Sequence, residues 1–207
     1  MMLRCGQTKN VFQFDGCALK GAASGRSCPF SDRTARVTTL SPLATHNADT
    51  IDALLDAAFG QDRHGRTAYA IRTGMRWLPE LSYGLADDAG TFVGLLQSWP
   101  VALHGDDGAC TALIMVGPVA VLPERQGEGF GKLLMDRLIA DADAQTNGPL
   151  MMIGDPEYYG RFWGFGANMT AQWRAPGPVE QRRLLARDMP GVAPLPMLSG
   201  MLGPRPV

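Results

Sequence analysis

The sequence predicts an α/β domain, a mixed and mostly antiparallel central sheet flanked by helices. Three observations carry that prediction. A long apolar run, Ala112-Leu113-Ile114-Met115-Val116-Gly117-Pro118-Val119-Ala120-Val121-Leu122, meets a glycine-rich turn and then an amphipathic stripe. Two acidic turns, Asp87-Asp88-Ala89-Gly90 and Gly105-Asp106-Asp107-Gly108, each join two extended apolar stretches, as antiparallel neighbours require. A second apolar run, Leu150-Met151-Met152-Ile153-Gly154, leads into another short helical segment.

The elements follow in order. Residues 1–34 interrupt every apolar stretch with Gly, Ser, Lys or Arg and are expected to be a poorly ordered extension. Residues 35–40 alternate well enough for a strand. Asn47 or Asp49 then caps a helix whose inner face is Ile51, Leu54, Leu55, Ala58 and Phe59, ended by Gly60. A second helix is expected over residues 65–76, and strands over 81–87, 91–103 and onward to Leu122. The next helix shows its apolar stripe at Phe130, Leu133, Leu134 and Leu138. After the strand at 150–154, Asp155 before Pro156 is a good N-cap with proline at the first helical position, and Gly164 stops the helix. Residues 170–174 are expected to be a strand and 184–189 the returning strand, with a helix over 180–187 as the alternative. Residues 191–207 are rich in Pro and Gly without periodicity and are expected to be an irregular tail, leaving one domain over residues 35–190.

Bulk properties narrow the function classes. A chain of 207 residues suffices for one substantial domain. A net charge of −1 gives no electrostatic argument for nucleic acid or an anionic membrane. Cys5, Cys17, Cys28 and Cys110 have no CxxC spacing and only three histidines accompany them, so neither a metal site nor a disulfide framework is expected. No apolar run approaches the ~20 residues of a membrane span, and Met1-Met2-Leu3-Arg4 turns polar too soon for a signal peptide. A cytoplasmic monomer or homodimer is the expectation.

The segment Arg125-Gln126-Gly127-Glu128-Gly129-Phe130-Gly131-Lys132 says the most. A glycine-rich turn from strand to helix leaves backbone N–H groups pointing outward, and the helix dipole adds partial positive charge there. Such a turn is a phosphate site. A P-loop would need glycine where Gln126 stands and a hydroxyl where Leu133 stands. A dinucleotide fingerprint starting at Gly127 would need glycine at Lys132. What fits is Gln126-x-x-Gly129-x-Gly131 after a strand and Pro123-Glu124-Arg125, a pattern that resembles the acetyl-coenzyme A loop of the GNAT N-acetyltransferase superfamily. Gly154-Asp155-Pro156-Glu157-Tyr158-Tyr159, closing in Gly164-Phe165, resembles one bacterial branch of predicted acetyltransferases within it.

The resemblance implies a GNAT fold and a set of roles. The amides of Gln126, Gly127, Gly129 and Gly131 would donate to the pyrophosphate of acetyl-CoA, Arg125 and Lys132 would add charge at the rim, and Glu128 and Phe130 complete the loop. The backbone of Val119, Ala120 and Val121 would pair with the pantetheine arm, beside a bulge at Gly117-Pro118, and an amide near Val119 would hold the oxyanion. Tyr159, with Tyr158 as second choice, would be the acid toward the leaving sulfur. One departure stands out: the tyrosine of the family lies four residues before the closing glycine, where this chain has Gly160. Glu124 beside the loop is the candidate base; Asp155, Glu157 and His104 are weaker ones, and a proton can also leave through water. The basic stretch Arg63, His64, Arg66, Arg72 and Arg76 reads as a solvated helix face, with contact to a carboxylate or phosphate of the acceptor as the alternative. The function expected is acetyl transfer from acetyl-CoA to a primary amine in a ternary complex. A non-catalytic acyl-CoA sensor or interaction module is the alternative.

Overall fold

The computed structural model describes residues 38–145, 148–191 and 193–206, and the extension expected over residues 1–34 lies outside them. The chain forms β1 (Thr39–Pro42), α1 (Ala48–Phe59), α2 (Thr67–Ile71), β2 (Tyr83–Ala86), β3 (Phe92–Gly105) and β4 (Cys110–Val121). It continues as α3 (Phe130–Gln145), β5 (Leu150–Ile153), α4 (Pro156–Trp163), β6 (Trp173–Arg174), β7 (Leu184–Arg187) and β8 (Gly200–Pro204). One sheet runs β1-β2-β3-β4-β5-β7, with β8 pairing β3 and β6. Only β4–β5 and β6–β8 are parallel, so the mixed, mostly antiparallel expectation holds.

β4 is buried on both faces, which is why it reads as a continuous apolar run. Its side chains alternate: Ile114 and Val116 join the core under α3, while Leu113 and Met115 join the core on the opposite face with Ile71, Trp173 and Leu202. A third cluster packs Ile51, Leu54 and Leu55 of α1 against Leu95 and Ala120.

Caps behave as the sequence suggests. Asn47, rather than Asp49, caps α1 by accepting from the Asp49 N–H at 2.8 Å, and Asp155 accepts from the Glu157 N–H at 3.1 Å. Gly164 closes α4 in the left-handed region at φ 74°.

Four expectations change. Of the first strand expected over residues 35–40, residues 35–37 lie outside the described residues; the strand is seen at Thr39–Pro42 and ends where Pro42 can donate no further ladder bond. The second helix is only Thr67–Ile71, preceded by a 3-10 turn at Gln61–Gly65. Beyond it, Thr73 turns its hydroxyl back onto the Tyr69 and Ala70 carbonyls, the usual way threonine competes with a helix. In α3, Leu133 is 40% exposed while Met135 is buried. At about 100° per residue, Phe130, Leu134, Leu138, Ala142 and Met135 span about 140°, and Leu133 falls about 60° outside that arc.

The largest change is the C-terminal segment, which is not wholly irregular. β8 pairs antiparallel with the second half of β3, from Val101↔Pro204 to Gly105↔Gly200. Its glycines serve close approach rather than flexibility: a Cβ on Gly200 would strike the His104 carbonyl, and one on Gly203 would touch the His104 ring. Leu202 points into the core at 1% exposure, and its neighbour Met201 points out at 38%. Leu202→Ala should therefore cost about 2–5 kcal/mol, while Met201→Ala stays within about 0.5 kcal/mol. Urea denaturation measures both, and equal small effects would deny β8 its place in the core.

Candidate active site

The site begins where two parallel strands part. β4 pairs with β5 only at Ile114↔Leu150 and Met115↔Met151. β5 then keeps β7 as its neighbour through Ile153, while β4 keeps β3 through Val121. From Val116 onward β4 has no strand on its β5 side among the described residues, so a slot opens between them.

The bulge expected at Gly117-Pro118 lies at the head of this slot. The register passes from Ser98↔Val116 to Leu96↔Val119, so Gly117 and Pro118 together oppose the single residue Gln97. Gly117 has φ 119°, which only glycine adopts readily.

At the far end of β4 a 3-10 turn, Pro123–Arg125, leads into the glycine loop. Gly127 and Gly129 have φ 84° and 87°, and a Cβ on Gly127, Gly129 or Gly131 would meet nothing within 4 Å. Backbone direction thus demands glycine at Gly127 and Gly129, and the space above all three is open to a ligand. The first internal bond of α3 runs from the Leu133 N–H to the Gly129 carbonyl at 3.1 Å. The N–H groups of Phe130, Gly131 and Lys132 therefore point out of the helix end. The Gln126 side chain ties the loop to β4 through the Val121 carbonyl at 3.3 Å.

The loop is anchored by charge. Arg125 donates to the buried Asp87 and to Glu128 and covers the Phe130 ring at 5.1 Å. Asp87 also accepts from the Ala89 and Thr91 N–H groups at 3.1 and 2.9 Å, closing the β2–β3 turn. Arg125 is thereby committed to two carboxylates and stands as the loop's anchor rather than a bare rim charge. Lys132 pairs with Asp136 at 2.6 Å on the exposed face of α3. Glu124 is exposed on the 3-10 turn. Ala120 is buried toward α1, whereas Val119 and Val121 lean on the α3 core, so these three residues offer the slot their backbone.

The opposite lip is α4. The Tyr159 ring packs on Gly154 at the end of β5, where a Cβ would come within 2.6 Å of it. Burial pushes the Tyr159 phenol up to about 12. Tyr158 packs edge-on to Tyr159 and Trp163, and burial raises its phenol as well. Gly160, the residue in the family's tyrosine position, has no room for a side chain: a Cβ would lie 2.9 Å from the Phe165 carbonyl. The other acid–base candidates are engaged elsewhere. Asp155 caps α4, Glu157 pairs with Arg182 at 3.1 Å, and His104 contacts the Pro204 carbonyl at 3.1 Å. His104 also faces Cys110, which is six residues and so roughly 20 Å along β4 from Val116.

The basic stretch is not a solvated face throughout. Arg66 and Arg76 are exposed, but Arg63 and Arg72 are 3% and 4% exposed. Burial opposes the charge on Arg63, yet hydrogen bonds with Asp56, Tyr69 and Asp52 outweigh it and raise its pKa. Burial lowers the Arg72 guanidinium to about 10. Sequence reasoning missed both. The available signal was Asp52 and Asp56 at helical spacing, with Tyr69 between the two arginines. α2 is pinned at both ends, by Thr67 donating to the Pro178 carbonyl at 2.7 Å and by Arg72 donating to the Gly117 carbonyl at 3.0 Å. Near it, a cavity of about 460 Å³ is lined by Ile153, Pro178, Val179, Glu180 and Arg183.

With this geometry in view, residues 49–154 match the acetyltransferase (GNAT) family. An uncharacterized N-acetyltransferase of Escherichia coli, YhbS, is 28% identical over 135 residues, spanning 63% of this chain and 76% of that protein. The crystal structure of the E. coli GNAT family N-acetyltransferase YhbS in complex with CoA superposes with a TM-score of 0.59 at 21% identity, over 82% of this chain and 89% of that one. A GNAT family acetyltransferase from Brucella melitensis in complex with acetyl-CoA gives 0.52 at 22% identity, over 79% and 95%. Among the described residues no helix is long and apolar enough to cross a membrane.

The loop anchor has a pH signature. The hydrogen bond from Arg125, and then those from the backbone, hold the Asp87 carboxyl below the usual aspartate range. Its contribution is complete above about pH 4 and is lost as pH falls through the lower value of the folded protein. Asp87→Asn should melt below wild type at pH 6, with the gap closing on acidification through pH ~3–4. A gap unchanged across that range would remove the ion pair from the loop's support.

Proposed function

The chain belongs to the acetyltransferase (GNAT) family, and from that premise we propose that it moves acetyl from acetyl-CoA to a primary amine by direct attack in a ternary complex. The observation that carries the reading is the parting of β4 from β5 with an open, glycine-lined helix start at its mouth. A pyrophosphate fits that helix start, where the amides of Gly127, Gly129 and Gly131 and the α3 dipole favour negative charge. Gln126 contributes less through its amide, which already leans on the Pro123 carbonyl at 3.4 Å, and more through its side-chain tie to β4. Glu128 and Phe130 hold Arg125 in place, and Lys132 adds charge at the rim. The pantetheine arm lies along the open backbone edge of Val119, Ala120 and Val121, as an added strand does.

The chemistry follows from this placement. The amine, without its proton, attacks the thioester carbon, and the carbonyl oxygen becomes an oxyanion facing the Val119 amide. Collapse breaks the carbon–sulfur bond and releases coenzyme A. Tyr159 protonates the sulfur as the carbon–sulfur bond breaks, and its phenolate takes a proton back from water; burial raises the phenol's pKa, so it holds its proton at neutral pH between turnovers. Tyr158, packed on the same ring, is the second choice. The proton lost by the amine leaves through water, with Glu124 at the mouth as the candidate acceptor. The cavity beside β5 and α2 is the approach for the acceptor. Cys110, exposed at the distal end of β4, takes no part.

Acetyl-CoA at 100 times its dissociation constant should stabilise the protein by about 2.7 kcal/mol, with ATP, NAD and ADP giving no comparable shift. Gly129→Val should lose the response. A larger shift with ATP or NAD would overturn the donor assignment. Binding without acetylation of any amine in a broad panel would instead favour an acyl-CoA sensor. Tyr159→Phe should lower kcat by about 10²- to 10⁴-fold and leave acetyl-CoA binding intact. An unchanged rate would take Tyr159 out of the mechanism.

A further inference from the structure

Arg72 is a buried cation without a countercharge. It is 4% exposed, and among the described residues no carboxylate forms an ion pair with it. Arg63, nine residues earlier and equally buried, pairs with both Asp52 and Asp56. Arg72 lies instead between two aromatic faces, its guanidinium carbon 4.1 Å from the Tyr69 ring centre and 4.3 Å from that of Trp99. A planar guanidinium held this way cannot rotate, so its donors point along fixed directions. One of them meets the Gly117 carbonyl at 3.0 Å. Arg72 Nε and Trp99 Nε1 are both buried without a partner.

A residue kept only to fill space here would be apolar, because an unpaired buried charge costs several kcal/mol by general experience. What the charge holds is the weakest point of β4. Gly117 and Pro118 are the two residues of the bulge, and neither has a cross-strand partner in the register with β3. Gly117 has no side chain to pack, and Pro118 has no N–H to donate. Among the described residues, the one side-chain hydrogen bond to either of them comes from Arg72, just after a helix whose other end is tied to Pro178.

We propose that Arg72 is a positioning residue for acyl transfer: it clamps the Gly117 carbonyl, fixes the bulge, and so aims the following Val119 amide at the thioester carbonyl of the donor. The inference rests on the acetyl-CoA reading given above. Arg72 acts through the backbone of β4. Its uncompensated positive charge also favours the negative charge that develops on the thioester oxygen.

The test compares two ligands that differ only in the acetyl group. Calorimetric titration of the wild-type protein should show acetyl-CoA bound about 2- to 12-fold more tightly than CoA, the range for one hydrogen bond. In Arg72→Met that preference should fall to parity while CoA affinity stays unchanged. Arg72→Gln, which retains a donor, should keep part of it. With an accepted amine, Arg72→Met should lower kcat with little change in the KM for acetyl-CoA. A preference that survives in Arg72→Met, or that the wild type lacks, overturns the inference. So does an equal loss of CoA and acetyl-CoA affinity, which marks a merely structural residue. Should the variants fail to fold, the wild-type protein still decides: the Arg72 Nε–Hε and Val119 amide resonances must stand at different positions in the acetyl-CoA and CoA complexes, and identical positions overturn the inference. Failure of the family reading looks different, since then the wild type binds neither ligand.

Discussion

The molecule depends on one strand being paired along one side and released along the other. β4 keeps β3 as a neighbour from Cys110 to Val121 but gives up β5 after Met115. A strand edge inside a sheet is costly to leave bare, because its N–H and C=O groups lose their partners. The fold tolerates it because both faces of β4 stay buried, under α3 on one side and against α1 and the second core on the other. The open edge is thus a defect in hydrogen bonding placed within intact hydrophobic packing. An extended ligand with its own amides would mend such a defect, as the pantetheine arm does in the proposed function.

Both ends of that slot are controlled by arginines, and the two are solved differently. At the loop, Arg125 is paired with Asp87 and Glu128, so its charge is neutralised and its role is mechanical. At the bulge, Arg72 is stacked and unpaired, so its charge persists next to the slot. A phosphate-binding helix start already has partial positive charge from its backbone and needs a rigid frame more than another cation. A carbonyl that becomes an oxyanion gains from fixed positive charge in a water-poor place. The distribution of paired and unpaired arginine follows the chemistry each end is asked to support.

The parts of this architecture that were legible in the sequence are the ones written by local rules. Asn47 and Asp155 as caps, Gly164 as a stop, the acidic hairpin turns and the glycine loop each need only a few neighbouring residues to be recognised. The helix stripe at Phe130 was read with Leu133 in it because apolar residues three apart invite that grouping; the sheet selected Met135 instead. β8 was illegible for a physical reason: Gly200 and Gly203 sit where His104 comes close, so the glycines that spoil local strand propensity are what allow its non-local pairing. Composition argued for an irregular tail, and packing overruled it. Arg72 reads as solvent-facing for the same reason, since nothing local shows that Trp99 and Gly117 will surround it.

This division has a consequence for what the sequence can and cannot say about the two halves of the site. The donor half is made of backbone: glycine φ angles, a helix start and an unpaired strand edge. Backbone sites tolerate few residue types, so they leave a motif. In the proposed function, the acceptor half is made of side chains from separate segments, with Thr67 and Arg72 on and just after α2, Trp99 on β3, Ile153 on β5 and residues 178–183 before β7. On the proposed reading, the identity of the acceptor is to be sought in the cavity beside Arg183 and Glu180, not in the glycine loop that makes the family recognisable.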